Sequence, residues 1–238
     1  MIYNILCCIN TEYAKLSFLN INSYHRLDKD KKFAIFCDDI IYEWFQAKTN
    51  NFNYPDNVEI IKLKEKREAW QLYKIDIFKH YYQKEDFVII DADSNWSKAV
   101  DITKNAVTFL NKSYVIGTRI SKDIVADYTH LDDIIGIKPS MTNNQIGFLS
   151  IPKQFHKNNI LDEWYSLANK IKNLKNVRKG LNFQSEQLSI SLIIQINGYP
   201  IKFLKDKEGL NNRNILHSFY WSHINEEQKN SHLKGYNF

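Results

Sequence analysis

Short apolar runs alternate with segments of helical spacing along the first ninety residues. The apolar runs predict strands at 2–9, 32–37, 58–63 and 87–90. Between them we predict helices after residue 10, where Ala14, Phe18 and Ile21 recur at helical spacing, near 40–46, and over 68–82. This alternation is typical of an α/β fold with a largely parallel sheet flanked by helices.

The second half of the chain is less regular. We predict strands at 114–117, 145–151 and 201–204, and an irregular segment over 121–141. An amphipathic helix is predicted from 160 to 174, with Trp164 on its apolar face. The run 187–196 fits a helix or a buried strand equally well. No repeat and no linker divides the chain, which predicts a single domain over 1–238.

Composition narrows the class of protein. The 238 residues are 44% hydrophobic and 14% aromatic, which excludes intrinsic disorder. The net charge of +5 is spread along the chain without a basic stripe, and this argues against a nucleic-acid partner. Peripheral contact with a membrane surface through the Lys-rich face stays open. Three cysteines without CxxC spacing predict reduced thiols in a cytoplasmic protein.

Two acidic residues, Asp91 and Asp93, directly follow the apolar run 87–90. In extended backbone, residues two apart project to the same side, so the two carboxylates converge at the carboxyl end of a buried strand. Open α/β sheets bind ligands at that edge. Because two carboxylates repel unless a cation lies between them, we predict a Mg²⁺ or Mn²⁺ site. The alternative is a polar turn that closes the strand.

Several other short motifs occur in a recognisable order around these acids. They are residues 9–15, Lys74, residues 87–93, residues 144–148, Glu186–Gln187 and residues 215–217. In order and spacing they resemble the GT-A nucleotide-sugar glycosyltransferases, most of all the family of glycogenin and the bacterial lipopolysaccharide galactosyltransferases. The resemblance implies a GT-A, Rossmann-like fold with a mixed, mostly parallel sheet. It also implies a nucleotide-binding half over 1–100 and an acceptor-side half over 101–238.

The same resemblance implies an activity and a set of site residues. The activity is metal-dependent transfer of a sugar from a nucleotide sugar, a UDP-sugar above all, to a hydroxyl of a glycan or glycolipid. The implied metal ligands for Mn²⁺ (or Mg²⁺) are Asp91, Asp93 and His217. The implied donor-binding residues are Asn10, Thr11, Tyr13, Lys74, Asp91 and Asp93. Glu186 and Gln187 are the implied catalytic pair.

Each of these residues also has an ordinary structural interpretation. Asn10 or Thr11 could cap a helix, and Tyr13 could be a packed side chain. Lys74 could be a surface lysine of its helix, and His217 a buried core histidine. Asp38 and Asp39 end a strand at the same sheet edge, and they could reach a ribose hydroxyl or form a solvated turn.

The sequence departs from the family pattern after His217. The family carries Gly-x-x-Lys-Pro-Trp there, whereas this chain has Ser218-Phe219-Tyr220-Trp221. How the pyrophosphate is held is therefore open, as are the donor sugar and the stereochemistry. Trp96 and Trp221 follow the two implied metal-ligand segments, and we consider them candidates for stacking on a sugar.

Two other functions also fit parts of the sequence. In a haloacid-dehalogenase-like phosphatase, Asp91 would be the nucleophile and Asp93 the acid/base, with Asp132–Asp133 as later metal ligands. Against this, three predicted strands precede the acidic pair here, whereas that motif normally follows the first strand. The other alternative is a non-catalytic module that binds a nucleotide sugar or glycan.

Overall fold

The computed structural model describes most of the chain. The described residues are 2–7, 11–48, 57–64, 67, 72–96, 99–100, 102–115, 142–156, 159–173, 185–204, 215–217, 226–227 and 230. Within them, the backbone alone is described at 6–7, 95, 111–115, 142–143, 145 and 215–217. No helix within these ranges has the length and apolar character needed to cross a membrane.

Nine strands and five α-helices are formed by the described residues. The strands are β1 (Ile2–Cys7), β2 (Phe33–Cys37), β3 (Val58–Lys62), β4 (Phe87–Asp91), β5 (Ser94–Trp96), β6 (Val107–Val115), β7 (Thr142–Ile151), β8 (Ile201–Phe203) and β9 (Ile215–His217). The helices are α1 (Thr11–His25), α2 (Asp39–Lys48), α3 (Tyr73–Tyr81), α4 (Ile160–Lys172) and α5 (Ser185–Ile196), with a short 3-10 helix at Lys153–Phe155.

Seven strands form one mixed sheet, in the order β3-β2-β1-β4-β7-β6-β8. Strands β1, β2 and β3 run parallel, β6 and β7 are antiparallel, and β6 and β8 are parallel. A separate two-stranded antiparallel ribbon joins β5 to β9. The predicted mixed, mostly parallel sheet flanked by helices is confirmed.

The chain contacts divide into two compact units. The first comprises Met1–Lys66, Ile90–Asp101 and Glu208–Phe238, and the second comprises Arg67–Ile89 and Ile102–Lys207. In the first unit, every residue of β2 is buried, and Cys37 is a buried free thiol as predicted. Rings of Tyr3, Tyr24 and Trp96 pack together, and those of Tyr3 and Tyr24 also contact Phe33 of this strand.

The second unit is built around two helices of different character. Helix α4 is amphipathic and buries Trp164, Leu167 and Ile171, as its spacing predicts. Helix α5 is buried on nearly every side, including its serines. It ends in a left-handed glycine, Gly198 (φ +65°), and the N–H of Tyr199 bonds back to Ile194 O at 3.0 Å, a pattern that caps the last helical turn.

The structure resolves one sequence prediction and corrects another. The run 187–196, which fits a helix or a strand, is a helix, and its burial on nearly every side explains why no helical period was visible. The strand predicted at 114–117 was wrong in its start, since β6 already begins at Val107. Register shifts between Phe109 and Asn111, and between Lys112 and Tyr114, interrupt the alternation from which a long strand is recognised.

Candidate functional site

The acidic turn, defined here as Asp91-Ala92-Asp93, joins β4 to β5 in the first unit. The preceding residues Phe87 to Ile90 are all fully buried, whereas Asp91 and Asp93 are half-exposed. The buried strand β4 therefore leads into two carboxylates that lie at the edge of the sheet and stay partly exposed to solvent.

Helix α1 holds the acidic turn through hydrogen bonds. The buried side chain of Asn20 donates from Nδ2 to the Asp91 carbonyl oxygen at 3.1 Å and accepts from Trp96 Nε1 at 2.6 Å. The backbone N–H of Trp96 donates to Ser23 Oγ at 3.1 Å. Sequence reasoning missed Asn20 and Ser23, and the available signal was polar residues three apart beside Ile21.

Trp96 is part of the core and does not offer a face to a sugar. Only 4% of its surface is exposed. Its ring stacks on Tyr3 at a centroid distance of 5.8 Å and meets the edge of Tyr24 at 4.6 Å. The expectation that Trp96 stacks on a sugar was therefore wrong, because both ring and N–H are already used. Trp221 lies outside the described residues.

The negative charges of Asp91 and Asp93 affect the pKa of Tyr13, near the start of α1. Burial first, and then the negative charges of Asp93, Asp91 and Glu12 in that order, together raise the pKa of Tyr13 to about 12. The phenol is therefore neutral at physiological pH and keeps its proton to donate. Thr11, half-exposed, begins the same helix, while Asn10 lies outside the described residues.

The ribbon of β5 and β9 brings residues 215–217 next to the residues that follow the acidic turn. Ser94 pairs with His217 in its backbone register, and Trp96 pairs with Ile215. The backbone of His217 thus lies opposite the residue that follows Asp93. Its side chain is outside the described part of the structure.

The chemistry of these residues fits a hard divalent cation. Asp91 and Asp93 supply carboxylate oxygens, the ligands that Mg²⁺ and Mn²⁺ prefer. Among the side chains that the structure describes, no group of three or more His, Cys, Asp or Glu is placed to hold a metal. The described side chains therefore provide two candidate ligands, both carboxylates.

The remaining predicted site residues lie in the second unit. Lys74, in the first turn of α3, is 4% exposed, so its interpretation as a surface lysine was wrong. Glu186 is 5% exposed, and its carbonyl oxygen accepts from Trp164 Nε1 at 2.8 Å. Gln187 Oε1 accepts the N–H of Ile146 at 3.4 Å. The structure therefore brings Thr11, Tyr13 and the acidic turn together in one unit, and Lys74 and the Glu186–Gln187 pair belong to the other.

Within the second unit, two motifs that are distant in sequence become neighbours. Ser191 Oγ accepts the N–H of Asn144 at 2.9 Å and shares its proton between Gln187 O at 2.8 Å and Asn144 O at 3.3 Å. Helix α5 thereby fixes the segment 144–148 beside Gln187. Ser191 was not singled out from the sequence, where it stands as one serine among apolar residues.

Asp38 and Asp39 have structural roles. Asp38 Oδ1 accepts the N–H of Ile41 at 2.9 Å and so caps the start of α2. Asp39 forms an ion pair with Lys62 at 2.8 Å. These contacts agree with the polar-turn interpretation of the pair.

A groove of about 540 Å³ lies in the second unit between α4 and α5. Its lining residues are Asn159, Asp162, Glu163, Ser166, Leu167, Lys170, Ile193, Ile196 and Asn197. None of the predicted site residues lines it, so the groove gives no support to the predicted chemistry.

This chain is similar to known proteins in its structure and not in its sequence. No protein-family profile matches this sequence, and no curated protein matches it. The galactosyltransferase LgtC, in complex with donor and acceptor sugar analogs, matches with a TM-score of 0.56 and 10% identity, over 86% of this chain and 73% of that one. Mouse xyloside xylosyltransferase 1 matches with a TM-score of 0.51 and 8% identity, over 85% and 84%.

A third similar structure is the apo form of glycosyltransferase GlyE from Streptococcus pneumoniae TIGR4. It matches with a TM-score of 0.52 and 14% identity, over 84% of this chain and 44% of that one. The predicted resemblance to GT-A glycosyltransferases is confirmed at the level of the fold. At 8 to 14% identity, these similarities establish the fold and leave the chemistry to the residues of the site.

Proposed function

We propose that this protein is a metal-dependent glycosyltransferase. It transfers a sugar from a nucleotide sugar, a UDP-sugar above all, to a hydroxyl of a glycan or glycolipid. One observation supports the proposal above all: the backbone of His217 pairs with that of Ser94, the residue that follows Asp93. This pairing occurs in a fold shared with glycosyltransferases.

The proposed ligands are Asp91, Asp93 and His217. Imidazole is a better ligand for Mn²⁺ than for Mg²⁺, so this set favours manganese. When bound, the ion supplies a countercharge for the leaving diphosphate. The half-exposure of both carboxylates supports the assignment, because a site that binds phosphates must be open on one side.

Tyr13 and Thr11, with Asn10 before them, form the proposed nucleoside side of the site. The Tyr13 phenol is neutral, so it adds no charge beside the carboxylates that raise its pKa. Lys74 is proposed to neutralise donor phosphate. Its burial supports a specific role, since a buried ammonium group is costly unless it is well solvated by partners.

Glu186 and Gln187 form the proposed catalytic pair, with residues 144–148 beside them. Their support is the contact of Gln187 with Ile146 and the linkage of Asn144 to Ser191. An LgtC variant with an active-site glutamine replaced by glutamate has been solved, and it matches with the same TM-score of 0.56. We also propose that residues 1–100 form a nucleotide-binding half and residues 101–238 an acceptor-side half.

The metal ligands give the sharpest test of this function. Changing Asp93→Asn removes a charge with little change in shape, and turnover should fall by about a hundredfold or more, because the ion supplies several kcal/mol in the transition state. UDP release from a panel of UDP-sugars with and without Mn²⁺ measures the effect. Asp162→Asn, an exposed carboxylate in the other unit, is the matched control and should keep full turnover.

Three outcomes would contradict the proposal. If neither UDP nor Mn²⁺ raises the melting temperature and no donor releases UDP, the protein is not a glycosyltransferase of this kind. Binding of UDP and Mn²⁺ without release from any donor would identify a binding module. Hydrolysis of an aryl phosphate that is lost in Asp91→Asn would identify a phosphatase.

A further inference from the structure

We propose that Asn20 is a positioning residue that fixes the acidic turn for metal binding. This inference rests on the proposed function and concerns a residue outside the ligand set. Asn20 lies on α1 and is fully buried. A polar amide in such a place is destabilising unless its hydrogen bonds are made. The hydrogen bonds that the Asn20 amide makes therefore indicate its role.

The amide of Asn20 links the start of the acidic turn to Trp96, three residues beyond its end. Nδ2 donates to the carbonyl oxygen of Asp91, where β4 ends, and Oδ1 accepts from the indole of Trp96, where β5 ends. The orientation of the amide follows from its partners, because a carbonyl can only accept and an indole N–H can only donate. One side chain thus spans the segment that carries both carboxylates.

The Trp96 end of this link is itself held by further contacts. Its backbone N–H donates to Ser23 Oγ, a hydroxyl one helical turn beyond Asn20. Tyr3 stacks on its ring and Tyr24 meets it edge-on. The indole is consequently an anchor for Asn20 rather than a surface for a ligand.

The acidic turn requires such an anchor because its two charges repel. When Asp91 and Asp93 are both ionised and no cation is bound, repulsion favours a more open turn. A bond to the Asp91 carbonyl opposes that opening, and it keeps the carboxylates where one ion can contact both. Side chains that orient metal ligands in this indirect way typically change metal affinity by about 10–100-fold when replaced.

Three variants test the inference. Asn20→Leu removes both bonds at similar volume, and Trp96→Phe removes the indole donor and keeps an aromatic ring. Ser17→Ala is the matched control, since Ser17 is equally buried on α1 and its hydroxyl bonds to Ala14 O within the helix. The measurement is the Kd for Mn²⁺ by calorimetry at saturating UDP, with urea unfolding of each variant alongside.

We expect the Kd for Mn²⁺ to rise about 100-fold in Asn20→Leu and about tenfold in Trp96→Phe, and to stay unchanged in Ser17→Ala. A residue with only a structural role would lower the unfolding midpoint without changing this Kd. A folded Asn20→Leu protein with wild-type affinity would overturn the inference. If that variant does not fold, wild-type affinity in Trp96→Phe overturns it. Failure of the wild-type protein to bind Mn²⁺ with UDP would overturn the proposed function as well, which distinguishes the two failures.

Discussion

His156 shows how a buried side chain sets a pH limit on stability. It is 2% exposed, and its Nε2–H donates to Ile151 O at 2.9 Å while its Nδ1 accepts the N–H of Gln83 at 3.1 Å. Burial lowers the pKa of His156, a smaller increase comes from the Ile151 bond and Asp86, and Lys153 lowers it slightly. The ring is therefore neutral in the folded protein, because protonation of Nδ1 would remove the acceptor for Gln83.

We predict that His156 makes the protein less stable in acid. The unfolded histidine takes up a proton near pH 6.5 and the folded one at lower pH, so its stabilising contribution is complete above about pH 6.5 and is lost below it. In His156→Phe, the free energy of unfolding should fall less steeply between pH 6.5 and 5.5, by up to about 1.4 kcal/mol per pH unit. Urea unfolding at several pH values measures this slope.

Ser166→Ala, at an exposed position of α4 that carries no titratable group, is the control for that experiment and should keep the wild-type slope. Identical slopes in the wild-type protein and His156→Phe would show that the histidine does not titrate differently on folding.

The residues of the site differ in how readily the sequence predicts them. Asp91 and Asp93 were recognisable because a buried apolar strand precedes them and their spacing directs both to one side. Asn20 was not, since a polar residue in a helix has the same sequence pattern whether it is buried or exposed. The core face of α1 includes the buried Ser17, Asn20 and Ser23, whereas the apolar spacing that predicts the helix comes from other residues.

At the level of elements, α5 and β7 are joined by side-chain to backbone bonds. Ser191 accepts the N–H of Asn144, and Gln187 accepts that of Ile146 two residues further along the strand. Residues two apart in a strand direct their backbone N–H groups to the same side, so one face of α5 accepts both of these hydrogen bonds. The spacing of four between Gln187 and Ser191 is one helical turn.

We predict that Ser191→Ala destabilises the protein by about 1–3 kcal/mol, because the buried amide of Asn144 loses this acceptor. Ser189→Ala is the matched control. Ser189 is fully buried in the same helix, but its hydroxyl bonds only to Glu186 O at 3.0 Å within the helix, and its loss should change stability little. Equal destabilisation of the two variants in urea unfolding would show that the link between helix and strand contributes nothing special.

Helices and strands were predictable where one spacing of apolar residues dominates the sequence. The strand 87–90 is apolar throughout because both its faces are covered, and α4 has one apolar stripe because only one face is. Helix α5 is covered on nearly every side, and β6 contains register shifts, so neither has a clean period of apolar residues. The ribbon of β5 and β9 is three residues on each side, too short for any period to be visible.

At the scale of the molecule, ligand binding and stability are linked. If UDP binds only the folded protein, then in the presence of Mn²⁺ and at a hundred times its Kd it should raise the free energy of unfolding by about 2.7 kcal/mol. Urea unfolding in Mn²⁺ with and without UDP measures the increment. Asp93→Asn should abolish most of it, and the same increment in that variant would mean that the ligands bind elsewhere.

The ribbon of β5 and β9 also constrains how the protein is made. While a ribosome synthesises the chain, β5 emerges long before β9, its hydrogen-bonded partner. Until residues 215–217 leave the exit tunnel, the nascent chain exposes a strand edge beside two repelling charges, and closing so long a loop is slow. Premature termination anywhere between the two strands would therefore release a product that lacks this pairing, however well its other parts had folded.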